Sequence, residues 1–244
     1  MFGEMKRGVC MDQLKFREVY ELLKQQESEG HPRFRFGWNE QDVYPCLNDD
    51  TATTTFDTHY VYHTSWAARI LKESNPMVHY DISSSIFFAT IVSAFIPVKF
   101  FDYRPAPITL NNLECGQADI LALPFASDSI SSLSCMHVVE HVGLGRYGDS
   151  VDYQGDLKAI TELKRVLAPG GLLLFVVPLG GLPIIRYNAH RIYGMEQIGE
   201  CFNGWDIRNF SLILDNGSFV VNPDPQLVKS QHYACGCFCF QKPY

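Results

Sequence analysis

The sequence predicts an α/β layer fold with a largely parallel sheet, and the central residues 118–178 carry the prediction. Between residues 156 and 167, apolar side chains recur at helical spacing with charged residues between them. Pro169-Gly170-Gly171 should end this helix, because proline cannot continue it and glycine tolerates left-handed dihedral angles. Residues 172–177 are all apolar, which is typical of a strand buried on both faces. A strand, a helix and a second strand therefore follow one another, as in α/β folds.

The composition indicates a globular protein with a sizeable core. The chain has 244 residues, of which 46% are hydrophobic and 19% charged, which suits one domain with an N-terminal extension. Its formal net charge of -7 argues against a broad surface for nucleic acid or anionic membrane. We therefore expect a small-molecule or glycan substrate, with nucleic acid an unfavoured partner.

Cysteine usage and the N-terminus favour a cytoplasmic protein. Three of the eight cysteines, Cys235, Cys237 and Cys239, alternate along one strand-like segment and so share a face. We expect reduced, buried thiols there, because this spacing suits packing better than bridging. Residues 1–12 show no secretory signal, and the longest apolar run, 86–98, is too short to cross a bilayer.

The first 76 residues are predicted to form an N-terminal extension that packs on the core. Residues 11–27 have the pattern of a charged amphipathic helix, and residues 33–57 are irregular and rich in aromatic side chains. A further helix should open near Ser65 and end before Pro76. Residues 77–244 are expected to form the main domain.

Five segments of the chain resemble known families. Residues 162–178, ELKRVLAPGGLLLFVVP, resemble the late motif of class I S-adenosylmethionine (SAM) methyltransferases, and residues 119–125 and 134–141 resemble their third and fourth strand tips. This resemblance covers roughly residues 78–240. It implies a Rossmann-like, seven-stranded, mostly parallel sheet with helices on both faces, and SAM as the cofactor. More narrowly, residues 141–149 and 188–193 resemble the uncharacterised domain-of-unknown-function family 268.

The first predicted turn departs from the methyltransferase pattern. That pattern is glycine-rich, because glycines let the backbone approach the cofactor. Here the turn reads Asp81-Ile-Ser-Ser-Ser85, with no glycine. Serine is small and can cap a helix with its hydroxyl, so Asp81, Ser83 and Ser85 are retained as cofactor-binding candidates.

Acidic residues at two further strand ends are also cofactor-binding candidates. Asp102, followed by Tyr103, ends the predicted second strand, where a carboxylate can accept both ribose hydroxyls. Its separation from Asp81 is 21 residues (102 − 81), close to the ~20 expected of such sites. The resemblance implies that Asp119 and Ile120 contact the adenine ring. The alternatives are a capping aspartate at Asp102 and a solvated turn acid at Asp119.

Three hypotheses compete for the segment His137-Val-Val-Glu140-His141 at the predicted fourth strand tip. In the first, His137 faces the cofactor and one of the two histidines is a general base that deprotonates a hydroxyl. In the second, His137, Glu140 and His141, joined by His190, hold a divalent metal. This resembles the Glu-x-x-Glu-His pattern of ubiquinone-pathway and small-RNA 2′-O-methyltransferases. In the third, the segment only shapes the turn.

The same residues match the His-x-x-Glu-His pattern of inverted zinc peptidases, which is a remote alternative. That motif requires a full helix carrying both histidines, whereas Gly143 and Gly145 follow almost at once. His59 and His63, four residues apart, are interpreted as packing or capping residues.

The long glycine-rich loop of residues 143–156 is the predicted substrate side, because long loops on rigid scaffolds are often functional. A solvated loop is the alternative. The candidate substrate residues are Arg146, Tyr147, Asp149, His190 and Arg191.

The sequence as a whole favours a SAM-dependent methyltransferase. We expect O-methylation of a small polyhydroxylated or sugar acceptor, with catalysis mainly by alignment of the reacting atoms. The alternative is a protein that keeps the methyltransferase fold only to bind a ligand or partner.

Overall fold

The computed structural model describes residues 13–30 and 39–244, and the chain divides into two units at Phe56 and Asp57. The first unit contains the helix α1 (Gln13–Gly30) and a short 3-10 helix, Glu40–Asp42. Residues 1–12 and 31–38 lie outside the described residues, and so do the predictions for them, including the start of the irregular segment.

The second unit begins with the helix α2 (Thr58–Ser74), which the sequence analysis assigned to the extension. The Asp57 side chain accepts a hydrogen bond from the Tyr60 backbone N–H and so starts the helix well before the predicted Ser65. Asn75 ends it in the left-handed conformation, as the sequence predicts. Because α2 buries Trp66 and Leu71 in the core of the second unit, the division of the chain falls before α2.

The sheet of the second unit has eight strands in the order β3-β2-β1-β4-β5-β10-β8-β9. Its strands are β1 (His79–Ile82), β2 (Val98–Asp102), β3 (Leu113–Gln117), β4 (Ile130–Met136), β5 (Leu167–Leu179), β8 (Asp206–Ile213), β9 (Phe219–Val221) and β10 (Ala234–Gln241). The strands β6 (Ile184–Arg186) and β7 (His190–Ile192) form a separate hairpin. The remaining helices are α3 (Ile86–Val92), α4 (Gly155–Val166) and α5 (Met195–Cys201).

The predicted fold class is confirmed. Strands β1 to β5 pair in parallel, and β10 runs antiparallel between β5 and β8, as the resemblance implies. The strand β9, three residues long, extends the edge beyond the predicted seven. Residues 188–202 contain β7 and then α5, which starts at Met195.

The Pro-Gly-Gly turn ends α4 as predicted, but it lies within β5. The pairing of β4 with β5 shifts from Ile130–Leu167 to Ser132–Leu172, so the residues between them form a bulge. Gly170 has a positive φ of 73° in this bulge, a conformation that glycine adopts without a steric penalty.

The sheet is buried on both faces, as the apolar pattern of residues 172–177 predicts. Leu173, Phe175 and Val177 pack with α4 and α5, whereas Leu174 and Val176 pack with α2 and α3. Each fully buried side chain of this size contributes about 1.5–3 kcal/mol of hydrophobic free energy. Cys235, Cys237 and Cys239 share the second face and are free thiols, as predicted. No helix in the described ranges is long and apolar enough to cross a membrane.

Candidate functional site

A cavity of about 380 Å³ lies at the carboxyl ends of β1 to β4. This volume is in the range of small-molecule and cofactor sites, and the position is where open α/β sheets bind ligands. Most of the predicted site residues line it. They are Ser83, Asp102, Tyr103, Asp119, Ile120, His137, His141, Tyr147 and Asp149.

The serine-lined turn keeps the backbone shape that glycine normally supplies. Ser83 has a φ of 55°, in the left-handed region that L-residues other than Asn and Asp rarely enter. Its backbone N–H donates to the Phe101 carbonyl at 2.8 Å, and its hydroxyl donates to the same oxygen at 3.2 Å. These bonds to β2 hold the turn open at the cavity, although the sequence has no glycine there.

Asp81 does not line the cavity, in contrast to the prediction. Its buried carboxylate accepts from the Ser84 backbone N–H at 3.0 Å and from the Ser134 hydroxyl. Ser134 also contacts Nε2 of His79, whose Nδ1 contacts the Ser132 hydroxyl. Burial raises the pKa of Asp81 from its ordinary 3.8 to about 6. Asp81 therefore holds the turn through buried hydrogen bonds and does not contact the cavity.

Ser84 takes the place predicted for Ser85. Ser85 is the residue before α3 and has extended backbone, and it is not among the cavity-lining residues. Ser84 lines the cavity, and its hydroxyl accepts from the Met136 backbone N–H at 3.0 Å. The turn between β1 and α3 is thus bonded to the ends of both β2 and β4.

Asp102 and Asp119 reach the cavity from the ends of β2 and β3. One oxygen of Asp102 accepts from the Arg104 backbone N–H at 2.8 Å, and one oxygen of Asp119 accepts from the Leu121 N–H at 2.9 Å. Among the described residues, the second oxygen of each carboxylate has no hydrogen-bond partner, so both can accept from a ligand. Ile120 adds an apolar wall between them.

His137 lines the cavity, but both its ring nitrogens already have protein partners. Its Nδ1 lies 2.8 Å from Oε1 of Glu140, and its Nε2 lies 3.3 Å from Sγ of Cys235. Tyr60 and His59 stack on its ring, each with centroids 5.5 Å away. Burial lowers the pKa of His137 to about 4. The geometry therefore does not favour His137 as the base that deprotonates a substrate.

His141 has the geometry that a general base requires. Its Nδ1 lies 2.6 Å from the Ala189 carbonyl oxygen, which can only accept, so the proton is on Nδ1. Nε2 then carries a lone pair and lies 3.8 Å from Oε1 of Glu140, and the residue lines the cavity. Burial lowers the pKa of His141, which keeps the ring neutral near pH 7.

The predicted metal set does not converge in the described structure. Glu140 is buried and bonds to His137, so these two residues engage each other, and burial raises the pKa of Glu140 to about 7. The His190 ring stacks on Tyr233, with centroids 4.9 Å apart, and lies 6.3 Å from the His141 ring. The segment Val139–His141 is a 3-10 helix of three residues, which lacks the length that a zinc-peptidase helix requires.

The loop after the 3-10 helix closes one side of the cavity. The Tyr147 ring lies between two guanidinium groups, 4.9 Å from Arg104 and 5.1 Å from Arg146. Asp149 accepts hydrogen bonds from the backbone N–H groups of Gly143, Gly145 and Tyr147, so this predicted substrate residue organises the loop.

Two other predicted substrate residues also have mainly structural contacts. Arg146 donates to the Ala189 carbonyl at 3.0 Å. Arg191 is buried, donates to the carbonyls of Val142 and Tyr153, and lies 3.6 Å from Asp156. It therefore joins β7 to the loop and to α4, and it does not line the cavity.

The sequence analysis missed Tyr60 and Arg104, which both line the cavity. Burial raises the pKa of the Tyr60 hydroxyl to about 12, so this group is a hydrogen-bond donor at neutral pH. The cluster of histidines and tyrosines at the start of α2 is the sequence feature that could have indicated Tyr60. Only the packing of α2 on the sheet places that cluster beside His137.

Comparison with a model of the DUF268 family, described as a Caenorhabditis protein of unknown function, matches residues 122–216. This confirms the resemblance to that family. The matched residues run from the end of the β3–β4 connection through β8 and include Glu140, His141 and His190. No curated protein matches the sequence of this chain.

Solved structures, among them methyltransferases, share the fold. The 1,6-didemethyltoxoflavin-N1-methyltransferase of Burkholderia thailandensis, with 1,6-didemethyltoxoflavin and S-adenosylhomocysteine bound, has a TM-score of 0.54 at 10% identity, covering 100% of this chain and 99% of that chain. The N-methyltransferase NodS of Bradyrhizobium japonicum has a TM-score of 0.52 at 16% identity, covering 77% and 97%. The YcgJ protein of Bacillus subtilis has a TM-score of 0.52 at 13% identity, covering 75% and 99%. At these identities the similarity shows the fold alone.

Proposed function

We propose that this protein is a SAM-dependent methyltransferase that methylates a hydroxyl oxygen of a small polar acceptor. One observation carries the proposal. The cavity at the strand ends combines the bent serine turn, two carboxylates that each offer an oxygen, and a histidine whose Nε2 is free to accept a proton. Each is what SAM binding or methyl transfer to oxygen requires.

The cavity residues fit the adenosyl part of SAM. A carboxylate at the end of β2 can accept both ribose hydroxyls, and Asp102 has this position. Asp119 can accept from the adenine amino group, and Ile120 offers an apolar contact to the ring. Ser83 lines the cavity, and its left-handed backbone lets the turn bend there. When bound, SAM supplies an electrophilic methyl group on a sulfonium.

His141 accounts for the proton in the reaction. When SAM is bound, Nε2 of His141 would accept the proton that the acceptor hydroxyl loses as its oxygen takes the methyl group and S-adenosylhomocysteine leaves. The Ala189 carbonyl holds the Nδ1 proton and fixes the orientation of the ring. The cavity residues would lower the remaining barrier by holding the acceptor oxygen in line with the methyl group.

The rim of the cavity suits a polyhydroxylated acceptor such as a sugar. Tyr60, Tyr103 and Tyr147 present aromatic faces and hydroxyls, and Arg104 adds hydrogen-bond donors. Aromatic faces with nearby polar groups bind molecules that have both apolar and hydroxylated surfaces. Two of the structural neighbours are N-methyltransferases, so the competing acceptor is an amine. Methylation of an amine would correct this part of the proposal.

Calorimetric titration with SAM and S-adenosylhomocysteine tests the cofactor assignment. We expect both to bind the wild-type chain, and Asp102→Asn to weaken binding roughly tenfold to a hundredfold, because a hydrogen bond to a charged group is worth about 1.5–3 kcal/mol. Asp206→Asn, at an exposed position on β8, should bind like wild type. Absence of binding at high-micromolar SAM would favour the alternative that the fold serves only to bind another partner.

Labelled SAM then tests the acceptor class. The protein is incubated with a panel of sugars, polyols and matched amino sugars, and methyl transfer to each is measured. Transfer to hydroxyl groups supports the proposal, whereas transfer only to amino groups would contradict the assignment of oxygen as the nucleophile.

A further inference from the structure

A second cluster of chemically active side chains lies behind the cavity. One ring nitrogen of His59, one of His137 and Sγ of Cys235 all lie within 4.8 Å of one another. His59 comes from the first turn of α2, His137 from the end of β4 and Cys235 from the start of β10. Among the described residues, this is the one group of three such atoms close enough to hold a metal ion.

The separations suit a small tetrahedral cation. With bonds of about 2.0–2.3 Å to nitrogen and sulfur, such a cation keeps its ligand atoms roughly 3.3–3.8 Å apart. Nε2 of His137 and Sγ of Cys235 are already 3.3 Å apart. The third atom belongs to the His59 ring, which stacks on that of His137, so this ring must rotate to direct its lone pair at the cation.

Both histidines of the group have hydrogen bonds of the kind found in known metal sites. Metal-bound histidines usually donate their second N–H to a carboxylate or a backbone carbonyl. Nδ1 of His137 lies 2.8 Å from Oε1 of Glu140, and His59 is hydrogen-bonded to the backbone of Tyr233. Both histidines are thereby oriented, and each keeps one nitrogen for a ligand bond.

Glu140 has a buried carboxylate whose charge a bound cation would help to balance. Glu140 is buried, and among the described residues no lysine or arginine lies within ion-pair distance of its carboxylate. A dication with one thiolate and two neutral imidazoles carries a net single positive charge, which balances this carboxylate.

We propose that His59, His137 and Cys235 form a zinc site that ties the first turn of α2 to the ends of β4 and β10. Two imidazoles and a thiolate in a tetrahedral arrangement favour Zn²⁺ over the harder Mg²⁺ and Ca²⁺, which take oxygen ligands. The ion fixes His137 and positions the adjacent Tyr60 as a wall of the cavity. This site differs from the predicted set, which lacks His59 and Cys235, and it does not depend on methyl transfer.

Cobalt titration of the full, tag-free apo-protein tests the site. Co²⁺ replaces Zn²⁺ in such sites and gives a thiolate charge-transfer band that reports a cobalt–sulfur bond. We expect one equivalent of Co²⁺ to bind with this band, and Zn²⁺ to displace it. Zn²⁺ should also raise the melting temperature, because a ligand that binds only the folded chain stabilises it.

Variants identify the ligands. Cys235→Ser should abolish the band, whereas Cys237→Ser, whose sulfur lies 4.0 Å from that of Cys235 on the same face, should retain it. His59→Gln removes a half-buried ligand and should prevent stoichiometric binding. Glu140→Gln should weaken Co²⁺ binding roughly tenfold to a hundredfold through the loss of the His137 partner.

The proposal is overturned if the wild-type chain shows no band, if Cys235→Ser keeps it, or if His59→Gln binds Co²⁺ as tightly as wild type. Circular dichroism checks that each variant is folded. If Cys235→Ser does not fold, the result for His59→Gln, at a partly exposed position, decides whether the site exists. SAM calorimetry on the metal-free protein is read separately, so failure of the zinc site and failure of the proposed function are distinguishable.

Discussion

Nδ1 of His141 lies 2.6 Å from the carbonyl oxygen of Ala189, in the turn between β6 and β7. The two residues are far apart in the chain, and the contact joins the 3-10 helix after β4 to a hairpin outside the main sheet. It sets the tautomer of the ring, because a carbonyl can only accept a hydrogen bond. The basic nitrogen of His141 is thus selected by a backbone group.

Replacement of His141 should reduce turnover and leave cofactor binding unchanged. General-base catalysis contributes about 10²–10⁴-fold, so we expect His141→Gln to lower kcat for the acceptor by this amount. The SAM dissociation constant, measured by calorimetry, should stay within about twofold of wild type, which is too small a change to reflect a lost hydrogen bond. His232→Gln, at an exposed histidine, is the matched control. Equal turnover in His141→Gln and wild type would exclude His141 as the base.

The rate of methyl transfer should fall in acid with a midpoint below the ordinary histidine pKa of 6.5. Burial, the largest effect, lowers the pKa of His141, and Arg146 and His137 lower it further, while Glu140 and the Ala189 carbonyl raise it. The neutral ring is the active form, so activity is lost as pH falls through this pKa and is constant above it. The pH profile of kcat/KM reports the value in the free enzyme. A midpoint above 6.5 would contradict the assignment.

Substitution at Ser83 should reveal strain in the turn. Its φ of 55° is unfavourable for a β-branched residue, so we expect Ser83→Val to lower the free energy of unfolding by about 1–3 kcal/mol and to weaken SAM binding. Ser83→Gly should retain SAM binding, because glycine adopts this conformation freely. Urea denaturation measures stability, and Ser131→Val, on an exposed strand position, is the control. A Ser83→Val protein as stable as this control would refute the backbone argument.

Asp81 should make the protein less stable as pH rises from 4 to 7. Its pKa is raised on folding from 3.8 to about 6, so its contribution is fully present below the unfolded value and is lost as pH rises through the folded value. The loss corresponds to about 3 kcal/mol. Asp81→Asn lacks this titration, so the difference in unfolding free energy between Asp81→Asn and wild type should grow by that amount in urea melts. Parallel pH profiles for the two proteins would show that Asp81 is not perturbed.

Much of the fold was predictable because its signals are local. The apolar run of residues 172–177 predicted a strand buried on both faces. Within it, the adjacent residues Leu174 and Phe175 do pack on opposite faces of the sheet. The seven-stranded, mostly parallel sheet was implied by the resemblance. In contrast, the length of α2 depended on one capping bond from Asp57 and on packing against the sheet, which residue patterns express weakly.

The sequence predicted many residues of the candidate site, but it predicted their roles less well. Asp102 and Asp119 line the cavity because strand ends of a parallel sheet meet at one edge, a rule that needs no side-chain detail. Asp81 also ends a strand, but its side chain turns inward to Ser134. Arg191 is buried beneath the loop that it was expected to border. Side-chain direction depends on neighbours from other elements, so sequence position alone could not give it.

The sequence by itself determined the α/β class, the position of the site at the strand ends and the polar residues gathered there, since hydrophobic periodicity and strand order are properties of the chain. The tertiary structure decided which groups are free to react. Both ring nitrogens of His137 contact Glu140 or Cys235. His141 has an unprotonated Nε2, because its Nδ1–H donates to the Ala189 carbonyl. Two histidines four residues apart differ in this way because hydrogen-bond partners come from whichever elements fold against them.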